Sequence, residues 1–161
     1  MPATGLQRFH DAQADLAHGY AAALAEIRGA GKRTHWIWYI FPQLVGLGHS
    51  PEARRYGLAG RAEARAYLAD ARLRTRLLEI TTAVAEQLER GERLAKIMGS
   101  PIDVLKLVSS LTLFEQVSRE LQAEGADPEW AALEEVSQRV LTAAAREGHD
   151  RCPLTSRALR E

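Results

Sequence analysis

From residue 6 to residue 28, apolar side chains recur every three or four positions: Phe9, Ala12, Leu16, Tyr20, Ala23 and Ile27. That spacing predicts one amphipathic helix over 6–28, stopped by Gly29 and Gly31. His10 and His18 lie off the stripe and are expected in solvent. The same period predicts a helix over 60–70 with Ala64, Tyr67 and Leu68 inward. It predicts another over 71–90 on the stripe Leu73, Leu77, Ile80, Val84 and Leu88, capped by Asp70 and ended by Gly91. A short helix over 92–98 should end at Gly99. Ser50–Pro51–Glu52 reads as a helix start that runs only through Tyr56, with Ser as cap and Pro at the first helical position.

Ser100–Pro101–Ile102–Asp103 opens the strongest helix, 101–122, with Asp103 in the place of a capping-box Glu. Its face Val104, Leu107, Leu111, Phe114 and Leu121 is apolar, and Ile102, Leu105, Val108 and Leu113 widen that face to nearly the full circumference. A helix apolar nearly all round belongs in the centre of the molecule. Gly125 and Pro128 bracket a turn, and 129–146 forms the last helix on Trp130, Leu133, Val136, Val140 and Ala144. The remaining tail reads as a loop with a final turn. No repeat, long linker or convincing strand interrupts this pattern. The expectation is an all-α fold: one compact domain over 1–161, a bundle of six or seven helices.

The bundle is expected to form around Thr34–Ser50, THWIWYIFPQLVGLGHS. Two of the three Trp residues fall here, with Tyr39 and Phe41 beside them. Residues 34–41 read as a short helix or equally as a strand; the lack of a partner strand favours the helix. Pro42 biases Phe41 out of the helical region, and Gly46 and Gly48 mark a loop.

Composition narrows the function. The net charge is zero and the pI near 7, so duplex nucleic acid is not an expected partner. No apolar run is long enough for a membrane span, and the first residues do not resemble a signal peptide. A single cysteine, Cys152, excludes an internal disulfide and a multi-Cys zinc site, which points to a reducing, cytoplasmic setting. Cys152 itself reads as a surface or half-buried thiol. His35 and His49 are too far apart in sequence to suggest a metal site, no G-x-S-x-G is present, and no cofactor is expected.

Candidate chemistry lies in two places. Asp103, Lys106 and Ser110 fall within an arc of about 60° on one helix face, flanked by Ser109 and Thr112. In one reading Lys106 is buried among Leu105 and Leu107 and serves as base or nucleophile; in the other Asp103 caps the helix and pairs with Lys106 across one turn. The central segment supplies the second set. His35, Gln43, His49 and Ser50 would line a pocket, Trp36, Trp38 and Phe41 would stack on a planar ring, and Gly46 and Gly48 would let backbone approach a ligand. Against this stands the reading of Trp36 and Trp38 as core.

Three stretches, HWIWYIFPQLVGLGHSPEARRYGL, EARAYLADARLRTRLLEI and IMGSPIDVLKLVSSLTLFE, resemble the signature blocks of the bacterial family called domain of unknown function 1810, over about residues 6–159. The resemblance implies an all-helical single domain without an established activity. Its polar motif positions are His35, Gln43, Ser50, Tyr56, Asp103, Lys106, Ser109, Ser110 and Thr112. A more distant likeness in architecture to the YbiA-like (NADAR) proteins implies chemistry at N-glycosidic bonds. The combined expectation is a metal-free enzyme or binder of a nucleotide-derived small molecule, such as ADP-ribose or a glycosylamine. Lys106, Asp103 and His35 would be catalytic and Trp36 or Trp38 would stack on the base. The alternative is a non-catalytic helical interaction module.

Overall fold

A computed structural model describes residues 5–161. Ten helices follow one another among the described residues: α1 (Gln7–Gln13), α2 (Tyr20–Arg28), α3 (Ile37–Ile40), α4 (Pro51–Tyr56), α5 (Arg61–Ala69), α6 (Ala71–Glu89), α7 (Leu94–Met98), α8 (Pro101–Glu124), α9 (Pro128–Arg146) and α10 (Pro153–Arg160). The all-α expectation holds. α8 is the central element, packed against α9, α5, α10, α7 and α3, while α6 joins α9 to α2.

The expected helix over 6–28 is two helices. The Asp15 carboxylate accepts the Ala17 and His18 amides, which closes a local turn after α1. Gly19 then lies so close to the Asp15 and Gln13 carbonyls that no side chain fits there. Leu16, placed inward by periodicity, is consequently 93% exposed. His10 also departs from expectation: it is half-buried, with Nε2 2.9 Å from Asp70 Oδ2. At the other end the tail forms a full helix, α10, rather than a turn.

The capping signals are realised. Ser50, Asp70 and Ser100 accept the amides of Ala53, Leu73 and Asp103. Asp103 does not complete a capping box, because its carboxylate serves elsewhere. The apolar circumference expected for α8 is also incomplete: Val108 and Leu113 are buried, but Ile102 and Leu105 are exposed at the helix start, beyond the reach of neighbouring helices.

The central segment is helical for one turn only. Phe41 adopts φ −122° and ψ 73° before Pro42, which ends α3. The following loop is pinned by a parallel bridge between Leu44 and Leu58, through Val45 N to Leu58 O at 2.8 Å and Leu58 N to Gln43 O at 2.9 Å. Gly46 takes φ +96°, a left-handed conformation that other residues avoid. Arg8, nearly buried, donates to the Arg55 and Gly57 carbonyls and to Glu63, and so fixes α4 and its exit. Aromatic contacts continue inward from here: Tyr39 to Tyr56 (5.2 Å), Phe9 to Tyr67 (5.1 Å) and Tyr67 to Phe114 (5.3 Å).

Candidate functional site

Glu26 at the end of α2 organises the approach to α3. One of its carboxylate oxygens accepts the Arg33 and Thr34 amides (2.6 and 3.0 Å) and the Trp36 indole N–H (3.1 Å); the other accepts the Thr34 hydroxyl (2.6 Å). Burial opposes its ionisation, yet these donors hold the carboxyl down at about 2. The chain between α2 and α3 is thereby fixed, and Thr34, His35 and Trp38 are presented toward α4.

Between the turn before α2, the α2–α3 connection, α3 and α4 opens a cleft of about 800 Å³. Its walls include His18, Arg33, His35, Trp38, Arg55 and Tyr56. We call it the hub cleft. Tyr39 also lines it, with its hydroxyl donating to the His18 carbonyl at 2.6 Å; burial, reinforced by Tyr56, Asp15 and Glu26, pushes this hydroxyl up to about 12, so it stays a donor. Among the described residues neither Arg33 nor Arg55 forms an ion pair; the Arg55 guanidinium lies over the Tyr56 ring, 5.3 Å from its centroid. Trp38 is half-buried, and its indole N–H is sealed from solvent without an acceptor. The Lys106 ammonium lies over the Trp38 ring, 5.2 Å from its centroid.

Beyond Trp38 a gap of about 10 Å³, bordered by Gln43, Tyr56 and Lys106, separates this cleft from a second one of about 330 Å³. The second, here the tail cleft, lies between α8 and the start of α10. Gln43, Lys106, Ser109 and Cys152 line it, with Ile102, Leu105 and Leu154 on its lips.

The residues expected from sequence therefore divide. His35, Trp38 and Tyr56 share the hub cleft. Gln43, Lys106 and Ser109 share the tail cleft. Trp36 lines neither: it is fully buried, donates to Glu26 and packs on Phe41, so the stacking role expected of it passes to Trp38. Asp103 is not the partner of Lys106. Its carboxylate pairs with Lys32 Nζ at 2.9 Å, and the Lys32 side chain is 5% exposed. Lys32 also donates to the Thr34 carbonyl at 2.5 Å and stands 4.8 Å from the Trp36 ring centroid. The buried lysine of this protein is thus Lys32, on a loop where no periodicity marked it.

Ser50 commits its hydroxyl to the α4 cap. Gly48 approaches the Ala53 side chain, within 2.9 Å of where a Cβ would stand, so its smallness serves α4 packing and not a ligand. Gly46 meets nothing within 4 Å and is required by its φ alone. Ser110 is wholly buried with an unpartnered hydroxyl. Thr112 donates to the Val108 carbonyl at 2.7 Å and accepts the Cys152 amide at 3.1 Å, which makes it a tether for the tail. His49 is exposed. Among the described residues no cluster of His, Cys, Asp and Glu fits a metal ion, and no helix is long and apolar enough to cross a membrane.

Fold and clefts define a small all-α protein whose aromatic segment forms one wall of an arginine-bearing cavity. The chain belongs to the family described as protein of unknown function (DUF1810), whose model matches residues 3–127. It is similar to the crystal structure of the conserved hypothetical protein Rv1873 from Mycobacterium tuberculosis, with 34% identity, a TM-score of 0.70 and 96% of each chain covered. No protein with a curated description matches the chain. Neither match carries the likeness to YbiA-like proteins.

Proposed function

We propose that the hub cleft binds a small nucleotide-derived anion. The observation that carries this reading is Trp38: an indole on the cleft wall, backed by the Lys106 cation. A heteroaromatic base offers a face for the ring. Arg33 and Arg55, free of carboxylate partners among the described residues, suit the phosphates of the same ligand. A cavity of this size lies within the range of small-molecule sites. ADP-ribose and AMP fit this chemistry. Catalysis by a Lys106–Asp103 couple has no support, because Asp103 is taken by Lys32; the reading is a binder, with His35 as the side chain beside the sugar.

A thermal-shift titration with ADP-ribose, NAD, AMP and ribose 5-phosphate tests it. A ligand at a hundred times its dissociation constant adds about 2.7 kcal/mol, several degrees for a chain of this size. The expected result is a shift with AMP or ADP-ribose, lost in Trp38→Ala and in Arg55→Ala, and little or none with ribose 5-phosphate, which lacks a base. No shift with any of the four would overturn the reading and favour a helical interaction module instead.

A further inference from the structure

Three hydrogen-bond donors on the tail cleft are unspent. Lys106 and Ser109 stand one turn apart on α8, and Gln43 comes from the loop after α3. Of the three lysines, Lys32 pairs with Asp103 and Lys96 with Glu92, whereas Lys106 pairs with no carboxylate among the described residues; its ammonium rests over the Trp38 ring. Ser109 is 9% exposed. Its neighbour Thr112 turns its hydroxyl back onto the Val108 carbonyl. The Ser109 hydroxyl has no hydrogen-bond partner among the described residues and, unlike that of Ser110, is not sealed from solvent; the space it meets is the tail cleft. Gln43 is fixed by its backbone carbonyl, which accepts the Leu58 amide at 2.9 Å, while its half-buried side-chain amide bonds to no other described residue. Gln43 and Lys106 also border the small gap beside Trp38, so they mark the inner end of the cleft.

We propose that the tail cleft binds a monocarboxylate with a short apolar tail. The carboxylate is held by Lys106, Ser109 and Gln43, and the tail lies on Ile102, Leu105 and Leu154. One cation with two neutral donors matches one carboxylate, which accepts several hydrogen bonds and carries a single charge. The three apolar side chains are 54–65% exposed, and they gather on the lips of this one cleft instead of being scattered over the surface. A volume of about 330 Å³ stands at the small end of the range for small-molecule sites, which limits the tail to a few carbons beyond the lip. Asp150 is the one carboxylate lining the cleft. It is exposed and does not border the gap that Lys106 and Gln43 share, so it stands apart from the inner end. This site is separate from the hub cleft and does not rest on the reading given for it.

Calorimetric titration of the full-length protein with octanoate, acetate, octan-1-ol and octylammonium tests this. Octanoate should bind, and acetate should bind about fiftyfold more weakly, because roughly three methylenes leave water on the lip. Octan-1-ol, which keeps the tail and lacks the charge, should be about tenfold weaker than octanoate. Lys106→Met should weaken octanoate about tenfold and leave octan-1-ol unchanged. Ser109→Ala, which removes a hydroxyl without a partner, should weaken octanoate about fivefold without lowering the unfolding temperature. Bound octanoate should also slow the alkylation of Cys152 by iodoacetamide, since that residue lines the same cleft. Absence of octanoate binding would overturn the proposal, as would binding that is unchanged in Lys106→Met or that leaves Cys152 unprotected. Octylammonium binding more tightly than octanoate would assign the charge selection to Asp150 and overturn it equally.

Discussion

A single carboxylate, Glu26, holds the aromatic segment in place, and its ionisation is written into the stability of the protein. Four donors keep its carboxyl at about 2, against an ordinary value of 4.5. A depressed carboxylate stabilises the fold fully above the unfolded value and loses that contribution as pH falls toward the folded one. The relevant window is therefore between pH 4.5 and pH 2. Glu26→Gln should lower stability at pH 7 by about 2 kcal/mol, through loss of charge-assisted hydrogen bonds. Below pH 5 the stability of the variant should decline less steeply than that of the wild type. It should still decline, because Glu63, held down by Arg8, and Asp70, held down by the Leu73 amide and His10, remain. Urea midpoints at pH 7, 5 and 3 measure this; parallel curves for the two proteins would remove Glu26 from the account. Lys32 shows the limit of sequence at this scale. A lysine between two leucines, Lys106, attracts attention by its neighbours, yet it rests over Trp38 at the molecular surface. The lysine that is buried sits in a short Gly–Lys–Arg–Thr connection, and nothing local distinguishes it from a solvated loop residue.

Among the elements, the turn from α4 to α5 is the one on which the hub cleft depends, and glycine is required there for space. A Cβ at Gly57 would stand 2.8 Å from the Ala53 carbonyl oxygen and from Val45 Cα, both backbone atoms. Gly57→Ala should destabilise the protein by about 2 kcal/mol, because the loop bridged by Leu44 and Leu58 must move. Gly60→Ala, three residues on, has open space and an extended backbone, and should change stability by no more than about 0.5 kcal/mol. Thermal unfolding of the pair decides it; equal effects would contradict the close approach. Helices α5, α6, α8 and α9 were legible in sequence, as were their starts, because periodicity and side-chain caps are local properties. The break between α1 and α2 was not. Leu16 falls on the helical period, but Asp15 closes a turn on the amides that follow it, and Gly19 then packs backbone against backbone. Helix α10 was underread because a helix of two turns offers too few positions for a period to show.

At the scale of the whole molecule, the spacing on α8 puts Asp103, Lys106 and Ser110, flanked by Ser109 and Thr112, near one face of the helix, but it does not give their partners. Those come from far along the chain: Lys32 for Asp103, Trp38 for Lys106 and Cys152 for Thr112. Helical spacing reports which residues share a face and is silent on what meets that face; the structure places the candidate residues along two clefts with one wall. That wall is the Trp38–Lys106 stack, since Trp38 borders the hub cleft, Lys106 borders the tail cleft, and both border the gap between them. A ligand that fixes Trp38 must therefore act on the tail cleft through Lys106. A cation over an indole is worth about 0.5–1 kcal/mol, so the coupling should be about two- to fivefold. Linkage requires that it run equally in both directions. Saturating AMP should change the rate of iodoacetamide alkylation of Cys152 by that factor, and alkylated protein should bind AMP with an affinity changed by a similar one. Lys106→Met, which keeps the length of the side chain and removes the cation, should abolish the coupling while AMP still binds and Cys152 is still alkylated. An unchanged alkylation rate under AMP saturation, with AMP binding shown by its thermal shift in the same sample, would mean that the two clefts act independently.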